Sequence, residues 1–252
     1  MADHVRNDSI IAIDIGNTST AFGYFNNGRL VRTKRLLTCR LESKAIGFLK
    51  WYFPLKRMDA AVVASVVPDK SSFLKKALPK KLGLKTVVLG RDIPVPIKNK
   101  YKNPGEVGID RLVNAFAFFE KYKRGGIVVD FGTAITFDVV SKRGEYLGGV
   151  IAPGIEISLE ALYQRTALLP EIRLSHPKNM IGKDTVESIR IGCSHGIGGL
   201  CDRIIGEISA RFASQPLVLA TGGYARFMSR YSRKINVIDT HLTLRGIALA
   251  VN

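Results

Sequence analysis

Three short stretches of this chain set glycine beside carboxylate and hydroxyl side chains: Asp14-Ile15-Gly16-Asn17-Thr18-Ser19-Thr20, Asp130-Phe131-Gly132-Thr133-Ala134 and Thr221-Gly222-Gly223. Glycine lets backbone N–H groups approach an anion, neighbouring hydroxyls and amides add donors, and Asp14 can hold Mg²⁺ directly or through water. A single Asp-x-Gly turn fits an ordinary hairpin equally well. Three such turns in order point more specifically to two turns that clamp a polyphosphate and a third that packs on a nucleotide base or ribose. A fourth stretch, Gly108-Ile109-Asp110-Arg111, opens a helix. There a carboxylate can take a proton from a hydroxyl while Arg111 and the helix N-terminus attract an anion, which suits phosphoryl transfer to an alcohol. On residue types alone, Asp110 as a helix cap and Arg111 as a surface charge fit as well. The chain has no Gly-x-x-x-x-Gly-Lys-Ser/Thr loop and no protein-kinase motif set. His4, His176, His195 and His241 are dispersed, suggest no nucleophile set, and read as surface or core residues.

The elements that must position these turns follow from periodicity and punctuation. A β-branched run over 9–15 ends at the first glycine turn, and strands over 20–25 and 29–36 flank Asn26-Asn27-Gly28, a strong hairpin signal because Asn and Gly accept positive φ. Helices are expected over 42–53 and 68–78 and strands over 59–65 and 85–89, followed by a proline-bearing extended connector over 93–103 and a helix over 108–122. The pattern then restarts, with strands over 127–130, 135–141 and 146–151 and a helix from Pro153-Gly154 to about 166. Asp184 with Glu187 forms a capping-box signature for a helix that runs to about 211, weakened or broken by Gly192, Gly196, Gly198 and Gly199. A strand over 217–220, a short helix, a possible strand over 236–238 and a helix over 244–251 complete the chain. The repeated opening predicts a duplicated α/β architecture of mixed sheets flanked by helices, divided at 1–118 and 119–252, with the C-terminal helix (about 243–252) packing back on the first half.

The composition is that of a globular chain: 252 residues, 46% apolar and 23% charged. Its net charge of +17 is uneven, with 19 Lys and Arg against 7 Asp and Glu in residues 1–100, and 19 against 14 in the remainder. Such a field attracts nucleotides, acidic metabolites or nucleic acid without distinguishing them. The basic pairs Lys34-Arg35, Lys56-Arg57, Lys75-Lys76 and Lys80-Lys81 look scattered and not interleaved with aromatics, so the sequence reading takes them as a solvated surface. Cys39, Cys193 and Cys201 read as buried reduced thiols, and Trp51 as core. Met1 to Asp8 is polar and the apolar run that follows is too short to span a bilayer, so neither an export signal nor membrane insertion is expected and the chain reads as cytoplasmic.

Taken together, the Asp14–Thr20 turn, Gly105-Glu106-Val107-Gly108-Ile109-Asp110-Arg111, Val129-Asp130-Phe131-Gly132-Thr133, Gly148-Gly149-Val150-Ile151-Ala152-Pro153-Gly154 and Thr221-Gly222-Gly223 closely resemble the type III pantothenate kinases, over about residues 9–250. Ile181-Gly182-Lys183-Asp184-Thr185 fits the same pattern, whereas Ser19, Ile109, Ile135 and Tyr224 depart from its commonest form. The resemblance implies the duplicated actin-like (ribonuclease H-like) ATPase fold, a site in the cleft between the halves, and a homodimer. It implies phosphorylation of pantothenate by ATP. ATP is then expected on Asp14, Ile15, Gly16, Asn17, Thr18, Ser19, Thr20, Ala21, Thr133, Gly222 and Gly223, with Mg²⁺ near Asp14 and a monovalent cation, K⁺ or NH₄⁺, on Asp130. Pantothenate is expected on Tyr101, Gly108, Ile109, Asp110, Arg111 and Thr185, the last from its own or the partner subunit, with Asp110 as proton acceptor. Two other expectations stand beside this one. The same fold could carry a DNA-associated regulator, motivated by the charge, or a kinase of another small alcohol or acid, since fold alone does not fix the acceptor.

Overall fold

The computed structural model describes residues 9–251, so the polar N-terminal segment and His4 lie outside the described residues. In chain order the strands and helices are β1 (Ser9–Ile15), β2 (Ser19–Asn26), β3 (Arg29–Leu37), α1 (Leu41–Tyr52), β4 (Ala60–Ser65), α2 (Pro68–Leu82), β5 (Lys85–Val88), β6 (Lys98–Asn99), α3 (Ile109–Tyr122), β7 (Gly126–Phe131), β8 (Ala134–Val140), β9 (Glu145–Pro153), α4 (Ile155–Arg165), α5 (Thr185–Ser209), β10 (Leu217–Thr221), α6 (Ala225–Met228), β11 (Val237–Ile238) and α7 (Leu242–Leu249). They fall into two compact units. The first runs to Lys123 and also takes Gly144–Tyr146 and the chain from His241 on; the second comprises Arg124–Arg143 and Leu147–Thr240.

In the first unit the strand order is β3-β2-β1-β4-β5. The β1–β2 and β2–β3 pairs are antiparallel, and β4 joins β1 in parallel. Asn27 and Gly28, at φ 49° and 70°, make the tight β2–β3 turn. β1 is buried on both faces. Ile11, Ile13 and Ile15 enter a core with Leu41, Ala45 and Leu49 of α1 and Leu74 and Leu78 of α2, whereas Ile10 and Ala12 enter a second core with Val113 and Phe116 of α3 and Ile247 of α7. This two-sided burial explains why β1 is an unbroken apolar run rather than an alternating one.

The second unit repeats the plan in the order β11-β10-β7-β8-β9. β8 is antiparallel and β10 parallel to β7, as β2 and β4 are to β1. Its core gathers Ile127, Val129 and Phe131 of β7 with Cys201 and Ile205 of α5 and Val218 of β10. The expected duplicated α/β architecture of mixed sheets is therefore present.

Four local expectations need correction. Trp51 is 82% exposed; α1 buries Leu41, Ala45 and Leu49, and Trp51 lies off that stripe. Cys39 is exposed, whereas Cys193 and Cys201 are buried, and burial with nearby Asp202 pushes the Cys201 thiol up to about 12. α5 is one continuous helix of 25 residues. Its glycines cost roughly 1 kcal/mol each relative to alanine, a cost offset by burial of Ile191, Cys193, Cys201 and Ile205 and by close packing of Gly198 on Tyr231, where a Cβ would stand 2.7 Å from the carbonyl carbon. α2 continues past Pro79 to Leu82 and stops at Gly83, at φ 69°, whose N–H reaches the Leu78 and Pro79 carbonyls.

Among the described residues no helix is long and apolar enough to cross a membrane.

Candidate active site

The first glycine turn closes the β1–β2 hairpin. Gly16 N–H donates to the Ser19 carbonyl at 3.1 Å, and Asn17 and Thr18 protrude into solvent. Thr38, just beyond β3, ties the loop down: its Oγ1 donates to the Gly16 carbonyl at 2.7 Å and lies 3.0 Å from Thr20 Oγ1, while its N–H meets the Thr18 carbonyl at 3.0 Å. Thr38 is not legible in the sequence, because a lone threonine 22 residues from Gly16 carries no local signal. The side chains of Ile15, Thr20 and Ala21 are buried, so only their backbone atoms are available to a ligand. Asp14 pairs across the sheet with Ala21 and Ala64. Both alanines lie in the core shared with α3, so Asp14 is on the face of the sheet that α3 covers.

At the head of α3, Gly108 is the N-cap and Asp110 lies in the first turn. Val66 links this end to the hairpin: its N–H donates to the Ile15 carbonyl at 3.1 Å, and its Cγ1 lies 3.7 Å from where a Gly108 Cβ would be. That Cβ would stand 2.6 Å from Asp110 Oδ1, so glycine is needed for the carboxylate to fold back over the helix start. Asp110 Oδ1 accepts the Arg111 N–H at 2.9 Å. Burial pushes the Asp110 carboxyl above the ordinary aspartate value, against the lowering effects of that hydrogen bond and of the Arg111 charge. A carboxylate raised in this way is a stronger base than a solvated one.

Arg111 is only 6% exposed, and its guanidinium lies 5.8 Å from the ring centre of Tyr146, which Tyr101 meets at 6.4 Å. Tyr146 was not singled out from the sequence. It is the second residue of β9, where Lys100 N–H donates to its carbonyl at 2.8 Å, and Lys98 and Lys100 reach the neighbouring Glu145 at 3.3 and 3.7 Å. Asn99 fixes the approach to Tyr101 by accepting its N–H at 2.9 Å. A carboxylate and a buried cation thus share one helix turn in the first unit.

In the second unit three glycine turns pack on one another. Asp130 lies near the end of β7, between Thr136 of β8 and Thr221 of β10. Gly132 N–H closes the next turn on the Ala134 carbonyl at 3.1 Å. Gly222 has φ 92°, and a Cβ there would collide with Asp130 Oδ1 and stand 2.6 Å from the Phe131 carbonyl carbon. At Gly154, the N-cap of α4, a Cβ would overlap the Thr133 carbonyl oxygen and approach that of Gly132 at 2.9 Å. Tyr224 locks the group: its N–H reaches the Phe131 carbonyl at 3.3 Å, and its hydroxyl donates to Glu156 Oε1 at 2.8 Å. Burial and this bond push the Tyr224 phenol up to about 12. The Asp130 carboxylate and adjacent carbonyls form a hard oxygen donor set, suited to K⁺ or Mg²⁺ and not to a soft metal. No group of three or more His, Cys, Asp or Glu able to hold a metal occurs among the described residues, so a divalent ion would depend on ligand oxygens besides protein carboxylates.

Thr185 also belongs to the second unit, exposed at the first position of α5. It lines a cavity of about 660 Å³ with Lys183, Asp184, Leu162, Ile189 and Cys193. Asp184 caps α5 by accepting the Glu187 N–H at 2.8 Å, but Glu187 does not complete the box with Asp184; its Oε1 accepts from the Lys178 N–H at 2.7 Å. His176 and His195 meet at Tyr231, the first through Nδ1 at 2.7 Å from the hydroxyl and the second edge-on, and so act in packing.

Comparison with known proteins adds to this geometry. The sequence profile of a family described as type III pantothenate kinase matches residues 10–207. A type III pantothenate kinase of Syntrophus aciditrophicus is 43% identical over 248 residues, covering 95% of this chain and 97% of the relative. One from Geobacter sulfurreducens is 38% identical, with coverage of 95% and 97%. Among solved structures, the ethanolamine utilization protein EutJ of Carboxydothermus hydrogenoformans superposes with a TM-score of 0.57 at 15% identity, covering 98% of this chain and 91% of that one. At that identity the likeness speaks to the fold alone.

Proposed function

The chain belongs to the type III pantothenate kinase family, and from that premise we propose how its residues divide the work. As a member it uses ATP to phosphorylate pantothenate, the first step of coenzyme A biosynthesis. The observation that best supports a role in this reaction for named residues is the pairing of Asp110, a carboxylate raised by burial, with the buried Arg111 in one turn of α3. Pantothenate carries a primary alcohol that a base can deprotonate and a carboxylate that a cation can hold.

In the proposed reaction the hydroxyl oxygen of pantothenate attacks the γ-phosphorus, the bond to the β–γ bridging oxygen breaks, ADP leaves, and the hydroxyl proton passes to Asp110. Arg111, Tyr101 and the backbone of Gly108 and Ile109 orient the acceptor. The backbone of the 15–21 turn, with the Asn17, Thr18 and Ser19 side chains, binds nucleotide phosphates. Asp14 would hold Mg²⁺, which supplies charge neutralisation on the phosphates. Thr133, Gly222 and Gly223 contact the nucleotide, and Asp130 with its neighbouring carbonyls would hold a monovalent cation, K⁺ or NH₄⁺. With little covalent work for the protein in phosphoryl transfer, these residues act by position and charge. We further propose a homodimer in which Thr185 reaches pantothenate from its own or the partner chain. The supply of ATP and the free cysteines favour a cytoplasmic location.

A coupled ADP-release assay tests the reading. Release should require pantothenate and be faster in K⁺ than in Na⁺. Release indifferent to pantothenate would overturn the assignment of substrate, and equal rates in the two salts would remove the cation role of Asp130.

A further inference from the structure

We propose that the surface around Trp51 binds single-stranded nucleic acid. Trp51 is the only tryptophan in the chain and is 82% exposed at the end of α1. It borders a cleft of about 340 Å³ lined also by Tyr24, Val31, Arg32, Tyr52 and Pro54. Val31 is itself 60% exposed. It is the extra residue of a bulge, since Leu30 pairs with Phe25 and Arg32 with Tyr24, so the β3 edge is bent where it meets the aromatic group.

The chain segment that carries this group is strongly basic between Asp14 and Asp59. Residues 15–58 hold nine cations (Arg29, Arg32, Lys34, Arg35, Arg40, Lys44, Lys50, Lys56 and Arg57) against a single acid, Glu42. Glu42 is engaged by Lys70 at 3.0 Å. Lys34 Nζ lies 4.7 Å from the centre of the Tyr52 ring, and Arg32 donates to the Tyr52 carbonyl at 2.7 Å. Lys50 precedes Trp51, and Lys56 and Arg57 follow Pro54. Cations that look scattered in the sequence are in part gathered by the fold: Lys34 lies over the Tyr52 ring and Arg32 enters the cleft that Trp51 borders.

Two simpler explanations fall short. One cation suffices to cap the C-terminus of α1, and charge along β3 would protect an exposed sheet edge, but neither requires an indole turned to solvent. A flat aromatic among cations suits a strand that offers base faces and phosphates together. In a duplex those faces are stacked away, and reading it requires an element that fits a groove, whereas this cleft is small, about 340 Å³. The inference does not depend on the kinase reading, since Trp51, Lys56 and Arg57 have no part in the proposed reaction.

The test is titration of the full chain with an oligo-deoxythymidylate of about 12 nucleotides, within the size range of single-strand sites. Saturable quenching of Trp51 fluorescence is expected, with log affinity falling by about 0.7 per phosphate contact against log salt. By anisotropy of the labelled oligomer, Trp51→Ala should weaken binding about 10- to 100-fold, as expected for loss of one stacked base. Trp51→Phe should restore most of it, and the double change Lys56→Gln with Arg57→Gln should lower the salt slope by about 1.4. Pantothenate-dependent turnover should be unchanged in all these variants, which verifies folding separately. Absence of salt-dependent quenching, affinity indifferent to Trp51→Ala, equal affinity for a duplex of the same length, or quenching only by phosphatidylserine vesicles would each overturn the proposal.

Discussion

Asp110→Asn is expected to lower turnover with pantothenate by about 10²- to 10⁴-fold, the usual worth of a positioned base, while ATP binding stays within about threefold, well under the 1.4 kcal/mol that a tenfold change represents. Asparagine keeps an oxygen able to accept the Arg111 N–H, so the helix start retains its shape. The effect on stability has a definite sign. The Asp110 pKa is raised in the folded chain, so between the ordinary aspartate value and the raised one the native state binds more protons than the unfolded state. Stability therefore falls as pH rises through that window, and at neutral pH the carboxylate is a net cost. Removing it should leave the melting temperature equal to or above that of the parent. The parent's activity should be lost on acidification at a pH above the ordinary aspartate value, as the base is protonated. Steady-state kinetics and thermal unfolding of the same preparation check both parts; a variant with parental turnover, or one that loses turnover only because it unfolds, would defeat the assignment.

Gly222→Ala is the second large effect. Alanine there must adopt φ near 92° and place a methyl group against Asp130 Oδ1 and the Phe131 carbonyl carbon. The backbone strain and the overlap together should cost about 2–5 kcal/mol, a large part of a typical domain's stability of about 5–15 kcal/mol. The surviving folded fraction must displace the Asp130 carboxylate, and a shift of about 1 Å at a binding group costs about 10²-fold. Denaturant midpoints and turnover at low temperature should both fall. A variant with the parental midpoint and rate would show that the three turns are not packed as described.

The legibility of the sequence depended on whether a feature was local. The Asn26-Asn27-Gly28 hairpin, the β1 run and the two Asp-x-Gly turns announce themselves through neighbouring residues, because turn chemistry and strand burial are set within a few positions. Trp51 was misread by residue type although its spacing was informative: Leu41, Ala45 and Leu49 define the buried stripe, and a residue two positions beyond Leu49 faces away from it. Thr38 and Tyr146 were out of reach. Each becomes significant through a partner distant in sequence, Thr38 at Gly16 and Tyr146 at Arg111. The continuity of α5 was likewise decided by burial, which propensity does not contain. For the candidate site, glycine positions were visible as types, but their reason, the contacts of Gly154 with Thr133 and of Gly222 with Asp130, exists only in the fold.

The phosphorus-31 NMR spectrum of a mixture of the chain, Mg-ATP, K⁺ and pantothenate tests the central claim most directly. A phosphomonoester resonance that grows in step with ADP, and only when pantothenate is present, is the expected result. Conversion of ATP to ADP and inorganic phosphate with pantothenate left unmodified would contradict it.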